Sequence, residues 1–296
     1  MKLIRKSRSW LKDRATTVRT AADFRSARRD LLSSPALADK EKALLEKVSL
    51  RVHLNDEMYA PFNAHDYLSA GLSALCCIEN AVNQSTRDNA IRFILDFPCG
   101  YGRVLRFLKA RFPDAEITIS DIDSVALGFC KRVFSVGGAE SDVDFSNLSL
   151  PNKFDMIWCG SLTTHLDERD TTELLRFFRN HLSPGGLCVF TTHGQLSVDR
   201  MEKKTQTYGL TEGAQKELLS QFHQKGYGYA EYKIGHGHGI SVVSHKRMLA
   251  IARSVAPWNL TSYMERGWDN LQDVYGFTMS SAEPGAAANE PTAPHQ

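Results

Sequence analysis

The stretch LDFPCGYGR, residues 95–103, decides the fold of this 296-residue chain. It begins at the end of an apolar segment, residues 91–97, that is typical of a buried β-strand. It ends at the start of residues 102–112, whose apolar spacing predicts a helix. An acidic residue therefore stands where a strand ends, and two glycines form the turn into the helix. Because glycine has no Cβ, such a turn lets a ligand approach the backbone closely and leaves amide groups facing it.

Strand-like and helix-like segments alternate around this motif, which predicts βαβ units in a mainly parallel sheet. The further predicted strands are residues 115–121, 154–162 and 187–192, and the further predicted helices are residues 124–134 and 171–182. A polar region rich in glycine and histidine then interrupts the alternation, with one predicted helix over residues 211–224. The predicted domain closes with a helix over residues 245–255 and two strands over residues 258–267 and 271–279.

The second predicted strand also ends in an acidic residue, Asp121, about 20 residues beyond the glycine turn. Ligands of such sheets bind beyond the carboxyl ends of the strands, where this acid can accept hydrogen bonds from two ribose hydroxyls. Asp121 also precedes a predicted helix, so a helix N-cap is an alternative role that is compatible with the first.

Two classes of cofactor compete for this geometry. A dinucleotide site needs the pattern G-x-G-x-x-G, and Leu105 stands where the third glycine belongs. An adenosyl cofactor that carries an ammonium group gives the carboxylate of Asp96 a partner, whereas a pyrophosphate does not. The sequence therefore favours the adenosyl cofactor.

These motifs resemble the cofactor-binding signature of class I S-adenosylmethionine-dependent methyltransferases. The resemblance covers residues 90–192, where residues 154–161 match the family's fourth strand and residues 182–186 match the turn before its fifth. It implies a Rossmann-like α/β fold with a seven-stranded, mainly parallel sheet whose last strand is antiparallel. It also implies S-adenosylmethionine as cofactor and methyl transfer as the reaction.

The family usually has glycine where Pro98 stands, and proline fixes φ and removes an amide. A catalytically silent binding or scaffold protein with the same fold is therefore the alternative function. Residues 96–103, 159–167 and 190–194 also resemble a bacterial methyltransferase subgroup that is linked to surface-polysaccharide assembly. This second likeness favours an oxygen of a small-molecule or glycan-type acceptor over lipid, protein or RNA.

The family resemblance assigns roles in the cofactor site. Asp96 and the glycine turn would face the methionyl part, and Asp121 would hold the ribose hydroxyls. Ile122 would pack on the adenine, and Asp144 would bind the adenine amine with Phe145 beside it. The full set of predicted cofactor-binding residues is Asp96, Pro98, Cys99, Gly100, Tyr101, Gly102, Asp121, Ile122, Asp144, Phe145, Cys159 and Gly160.

Two histidines follow predicted strands at the edge of the sheet where the transferred methyl group is expected. His165 follows the fourth strand and His193 follows the fifth. Histidine suits a general base because its pKa lies near neutrality, so either residue is a candidate base or substrate ligand. A histidine that caps a helix or bonds a loop carbonyl is the alternative for each. His236 and His238 lie in a glycine-rich loop that we expect to form a mobile lid.

We expect no bound metal, because the histidines lack metal-ligand spacing and the six cysteines form no C-x-x-C pair. Unpaired cysteines in apolar stretches fit a reducing, cytoplasmic location. No apolar run approaches the ~18 residues of a membrane span, and the start of the chain lacks the apolar core of a signal peptide.

The amino-terminal segment is strongly basic. Residues 1–29 carry ten Lys or Arg against two Asp, a balance of +8, which leaves −6 for the rest of a chain whose net charge is +2. The basic helix either docks on the body or lies on an anionic membrane surface, and a presequence is a third alternative. The acidic body argues against nucleic acid as a partner.

The chain divides into segments of different composition. The predicted segments are a basic amphipathic helix (1–30), a helical segment (31–90), the methyltransferase domain (91–279) with an inserted cap (193–244), and a disordered tail (280–296). Tyr59, His65 and Tyr67 either cover the cofactor or form a packing edge. The tail is rich in Ala, Pro, Gly and Glu, which favours disorder.

Overall fold

The structure is a computed structural model that describes four parts of the chain: residues 21–59, 63–85, 90–232 and 238–279. Three predictions fall outside these residues. They concern the basic segment up to residue 20, the tail over residues 280–296, and His236.

Nine strands form two sheets in the described parts of the chain. They are β1 (Phe93–Asp96), β2 (Glu116–Asp121), β3 (Gly137–Glu140), β4 (Phe154–Cys159), β5 (Leu182–Thr192), β6 (Tyr227–Glu231), β7 (Gly239–Val243), β8 (Trp258–Trp268) and β9 (Gln272–Met279). The main sheet has the order β3-β2-β1-β4-β5-β9-β8, and β6 pairs with β7 in a separate hairpin. In the main sheet β9 runs antiparallel to the other six strands, so the predicted fold class is confirmed.

The described residues also form nine α-helices. They are α1 (Ala21–Ser33), α2 (Asp39–Lys47), α3 (Ala64–Gln84), α4 (Leu105–Arg111), α5 (Ser124–Phe134), α6 (Glu168–His181), α7 (Gln195–Glu202), α8 (Glu212–Lys225) and α9 (His245–Val255). In these parts of the chain, none of the helices combines the length and the apolar character that crossing a bilayer requires.

Alternating side chains of the central strands bury both faces of the sheet. Ile94 and Met156 pack on one face against α3, α4 and α5, whereas Leu95 and Ile157 pack on the other against α6 and α9. Successive side chains of a strand point to opposite faces, so strands covered on both sides are apolar throughout. This explains why β1 and β4 appear in the sequence as continuous apolar runs.

The amino-terminal helices are attached to the glycine turn through a buried arginine. Arg106 on α4 donates hydrogen bonds to the Ser49 carbonyl at 2.7 Å and to the Gly102 carbonyl at 2.9 Å. Its guanidinium also lies 5.2 Å from the ring centroid of Tyr67 and 5.9 Å from that of Phe24. Because carbonyl and aromatic partners take up its donors and its charge, Arg106 ties the amino-terminal helices to the α/β domain.

The inserted region is more ordered than its sequence indicates. Residues 193–244 hold two helices and the hairpin, and their small apolar core includes Val198 and Val242. Gly228 of β6 lies so close to the carbonyl of Leu218 that a Cβ there would overlap it. The glycine thus allows the strand to pack closely on the helix. From the sequence alone, Gly228 could equally have been a loop residue.

Two strand boundaries differ from the predicted ones. β5 begins at Leu182, because the predicted turn over residues 183–186 is a bulge in its pairing with β4. β3 is a short glycine-containing strand whose residue Gly138 packs directly on the backbone of Ile119. Its low apolar content explains why periodicity did not mark it.

We expect Gly71→Ala to destabilise the protein by about 1–3 kcal/mol, because a Cβ on α3 would overlap the Phe107 ring and the Arg103 carbonyl. The matched control is Gly213→Ala on α8, where a Cβ meets open space and alanine favours the helix by up to about 1 kcal/mol. Urea denaturation followed by circular dichroism measures both. Equal stability of the two variants would contradict this close helix packing.

Candidate functional site

A cleft of about 390 Å³ opens at the carboxyl ends of β1, β2 and β4. This is the edge where a parallel sheet places its ligands, and the volume lies in the range of small-molecule sites. Seven residues of the predicted cofactor site line the cleft: Asp96, Pro98, Cys99, Gly100, Tyr101, Asp121 and Gly160. The sequence motif and five carboxylate side chains thus meet in one place.

Five predicted residues lie outside the lining of the cleft. Gly102 lies beneath the turn with a φ of +81°, and a Cβ there would overlap the Phe134 ring. Ile122 is 53% exposed beside the cleft, and Cys159 is fully buried in the core.

Asp144 and Phe145 line a different groove, next to α6. The Phe145 ring packs on Phe97 and Phe177, with ring centroids about 6 Å apart. The structure therefore does not bring these two residues together with Asp96 and Asp121 in one cleft, and their adenine contacts stay predictions.

Asp96 carries a buried carboxylate oxygen without a partner. The side chain is 1% exposed, and its Oδ2 accepts no hydrogen bond within the described structure. Burial, followed by the charge of Asp121, raises the pKa of the Asp96 carboxyl well above its usual range. An unpaired buried carboxylate is costly, so this atom is suited to a cationic or hydrogen-bond-donating ligand.

Asp121 organises the turn and keeps acceptor capacity for a ligand. Its Oδ2 accepts the Gly100 amide at 2.7 Å and its Oδ1 accepts the Asp123 amide at 2.9 Å. Burial raises the pKa of the Asp121 carboxyl, while these two amides lower it. A carboxylate has about four lone-pair sites, so each oxygen retains one for a ribose hydroxyl.

The alternative role of Asp121 as a helix cap belongs instead to Asp123. Its side chain accepts the amides of Val125 and Ala126 at the start of α5. Asp123 also accepts a hydrogen bond from the Tyr101 hydroxyl at 3.0 Å. The two acids of the S-D-I-D sequence thus divide the two roles.

The glycine turn offers space rather than free amides. The amide of Cys99 donates to the Ser120 carbonyl, that of Gly100 to Asp121, and that of Gly102 to the Cys99 carbonyl. The expectation that the turn leaves these amides facing a ligand is therefore wrong for these three residues. Gly100 has a φ of +49°, and a Cβ there would meet nothing within 4 Å, so a ligand atom can lie against its backbone.

The amino-terminal segment supplies one wall of the cleft. Residues 55–58 line it, and Asp56 accepts a hydrogen bond from the Tyr67 hydroxyl at 2.6 Å. Tyr59 and Tyr67 pack on Phe24, whereas His65 is exposed. Residues 55–58 thus form this wall of the cleft. Tyr59 and Tyr67 form a packing edge, which is the second of the two roles considered for them.

Trp268 and Ser161 also line the cleft, although the sequence did not single them out. The Trp268 indole donates to the Ala70 carbonyl at 2.8 Å, and its ring lies 5.2 Å from the Arg103 guanidinium. The chain brings Trp268 to the glycine turn only through the pairing of β8 with β9 and the contact of β8 with α3.

Ser161 adopts a left-handed backbone conformation with a φ of +63° at the end of β4. Its amide donates to Thr191 Oγ1 at 2.9 Å, and its Oγ accepts the Gln272 side-chain amide at 2.7 Å. Residues held in such conformations by their surroundings cluster at functional sites. Side chains of two strands, β5 and β9, thus fix Ser161 at the wall of the cleft.

His165 and His193 contact the inserted hairpin rather than the cleft. Nδ1 of His165 lies 2.9 Å from the Gly239 carbonyl, and Nδ1 of His193 lies 3.2 Å from the Ser241 carbonyl. Because a carbonyl only accepts, each Nδ1 carries the proton and each Nε2 keeps its lone pair. Burial lowers the pKa of both rings, that of His193 to about 4, so both are neutral near pH 7.

Within the described residues, no group of three or more His, Cys, Asp or Glu side chains is arranged to hold a metal ion. His238 is exposed and borders the part of its loop outside the described residues. The role of the loop as a lid stays a prediction.

We expect the stability of His193→Asn to depend less on pH below pH 6.5 than that of the wild type. The side-chain amide of the asparagine can replace Nδ1 as the donor to the Ser241 carbonyl. In the wild type, the unfolded state takes up a proton near pH 6.5, but folded His193 does so only near pH 4. Stability is therefore lost as the pH falls through this window, by up to about 3 kcal/mol. Urea titrations at pH 7.5 and 4.5 measure the change, with exposed His223→Asn as control. A pH dependence equal to that of the wild type would show that His193 is not the buried neutral ring.

Comparison with known proteins identifies the same domain. The family described as "Methyltransferase domain" matches residues 95–188. The chain is 33% identical over 111 residues to "Ribosomal RNA small subunit methyltransferase C" of Pasteurella multocida, a match that covers 34% of this chain and 33% of the relative. The chain thus spans about a third of the length of the curated relatives that it matches.

Two solved structures share the fold. The PH0226 protein from Pyrococcus horikoshii has a TM-score of 0.51 at 12% identity, covering 76% of this chain and 94% of that one. DesVI from Streptomyces venezuelae has a TM-score of 0.50 at 14% identity, covering 74% and 97%. These two structures show the fold alone. The methyltransferase domain matched over residues 95–188, together with the sheet order, identifies a class I S-adenosylmethionine-dependent methyltransferase domain in this chain. S-adenosylmethionine is the cofactor of that class.

Proposed function

We propose that this protein transfers the methyl group of S-adenosylmethionine to an oxygen of a small-molecule or glycan-type acceptor. The observation that carries this proposal is the unpartnered Oδ2 of Asp96, buried beside Asp121 at the carboxyl edge of the sheet. The cofactor has an ammonium group for the first carboxylate and two ribose hydroxyls for the second.

The residues of the cleft fit a cationic adenosyl ligand in charge and shape. Asp96 would hold the ammonium group, whose charge favours the ionised carboxylate and reverses the effect of burial on its pKa. Asp121 would accept the ribose hydroxyls with its remaining lone pairs, and the open backbone of Gly100 would allow close approach. The bound cofactor supplies an activated methyl group.

The chain's own contribution to the reaction is then binding, orientation and exclusion of water. Residues 55–58, Trp268 and the fixed Ser161 wall the cleft. His165 and His193 contact the inserted hairpin with neutral rings. We propose that one of them accepts the acceptor's proton at Nε2 or binds the acceptor there.

The charge of the cleft supports an acceptor that is not a polyanion. Its lining includes five acidic side chains, Asp56, Glu57, Asp96, Asp121 and Asp123. The lining contains one arginine, Arg103, and no lysine within the described residues. Such a surface repels a phosphodiester backbone and tolerates a neutral hydroxyl compound.

RNA is the second candidate acceptor, because the matched relatives are named ribosomal RNA methyltransferases. Their match covers about a third of their own length, so about two thirds of each relative has no counterpart in the match. The likeness therefore supports a shared cofactor more directly than a shared acceptor.

We expect Asp96→Asn to bind S-adenosylmethionine at least tenfold more weakly while its melting temperature is unchanged or higher. The variant loses the charge that pairs with the ammonium group, and it no longer buries an unpaired carboxylate. Titration calorimetry measures the affinity and differential scanning calorimetry the melting temperature. The control is Asp114→Asn, an exposed carboxylate just before the other end of β2. Absence of binding to the folded wild type would contradict the proposal and favour a silent scaffold.

We expect radiolabel from S-adenosyl-[methyl-³H]methionine to enter carbohydrate or small hydroxyl compounds rather than RNA. The assay offers the protein a sugar and glycolipid pool in parallel with small ribosomal subunits and total RNA. Asp96→Asn is the inactive control for every pool. Label that is recovered in nucleosides after RNA digestion would overturn the oxygen-acceptor proposal and support the second candidate.

A further inference from the structure

Among the residues that the structure describes, the lining of the cleft holds one cationic side chain, at the glycine turn. Arg103 directly follows the turn, is half-buried and lines the cleft beside Asp96. Its guanidinium lies 5.2 Å from the ring centroid of Trp268. Within the described structure, no carboxylate lies within the 4 Å ion-pair distance of Arg103, so its charge is available to a ligand.

The surroundings of Arg103 hold it without neutralising it. Trp268 donates its indole N–H to the Ala70 carbonyl, which fixes the ring under the guanidinium. The charge of Arg103 lowers the pKa of the Asp269 carboxyl. Burial nevertheless raises that pKa overall.

The proposed cofactor places an anion at this end of the cleft. Its ammonium and its carboxylate are attached to the same carbon atom, so a ligand whose ammonium faces Asp96 has its carboxylate a few ångströms away. Apart from Arg103, the charged side chains that line the described cleft are all acidic, among them Asp56, Asp121 and Glu57. Like charges in a half-buried cleft repel strongly, so a cation is needed there.

The geometry points to Arg103 as the residue that binds the carboxylate of the methionyl group and so selects the amino-acid form of the adenosyl cofactor. This inference rests on the proposed function and deepens it. Arginine is suited to this role because its planar guanidinium donates two parallel hydrogen bonds to a carboxylate. The specificity is then directed against decarboxylated S-adenosylmethionine, which keeps the adenosine, sulfonium and ammonium groups.

The test compares two ligands on four proteins by titration calorimetry. The ligands are S-adenosylmethionine and decarboxylated S-adenosylmethionine, and the proteins are the wild type, Arg103→Met, Arg103→Lys and Arg179→Met. Arg179 is an exposed arginine of α6 that does not line the cleft, so its variant controls for the loss of one positive charge. Melting temperatures verify that each variant is folded.

We expect the wild type and Arg179→Met to bind S-adenosylmethionine at least tenfold more tightly than the decarboxylated ligand. Arg103→Met should lose this preference by weaker binding of S-adenosylmethionine alone, and Arg103→Lys should retain part of it. The decarboxylated ligand should bind Arg103→Met as well as or better than it binds the wild type, because one cationic neighbour has been removed.

Two results would overturn the role of Arg103 while the proposed function stands. In one, the wild type binds both ligands equally. In the other, Arg103→Met weakens both ligands by the same factor, which would indicate a structural role through Trp268. If the folded wild type binds neither ligand, the proposed function fails together with this inference.

Discussion

The hydrogen bond from the Gly100 amide to Asp121 Oδ2, 2.7 Å long, connects the carboxyl ends of β1 and β2. It closes the glycine turn over the second strand and brings Asp121 near the buried carboxyl of Asp96. The same turn presents the Gly102 carbonyl to Arg106, which also holds the amino-terminal helices. The cleft, its wall from residues 55–58 and the covering helices all depend on this connection.

The electrostatics of the cleft are incomplete without a ligand. Two acids lie close together in a buried place, where burial raises the pKa of both. Arg103 faces the same cleft without an anion at ion-pair distance. A zwitterionic group would compensate both charges at once, since its ammonium can pair with the acids and its carboxylate with Arg103. The methionyl part of the class's cofactor is such a group.

The glycine turn and the inserted hairpin differ in whether the family match includes them. The family match covers residues 95–188, which hold the glycine turn, Asp121 and Ser161. The hairpin that contacts His165 and His193 lies beyond it, in the inserted region. The family match thus covers the glycine turn and Asp121 and ends before the hairpin. This division supports searching for acceptor specificity in the hairpin and in residues 55–58.

Local sequence predicted the elements of the sheet well because strand and helix periodicity are local properties. The bounds of α5 and α9 match residues 124–134 and 245–255, and the strand ends place Asp96 and Asp121 correctly. Periodicity failed where residues serve distant partners. The glycines of β3 and β6 resemble loop residues until the close backbone contacts that require them are seen.

The sequence by itself determined the fold class, the glycine turn and the two acids at its side, because each depends on neighbours in the chain. Only the tertiary structure decided which residues complete the cleft. It brought Trp268 and residues 55–58 to the turn and placed Asp144 at another groove. It also left Arg103 unpaired and turned His165 toward the hairpin. These outcomes depend on long-range packing between segments far apart in the chain, for which local sequence patterns carry no signal.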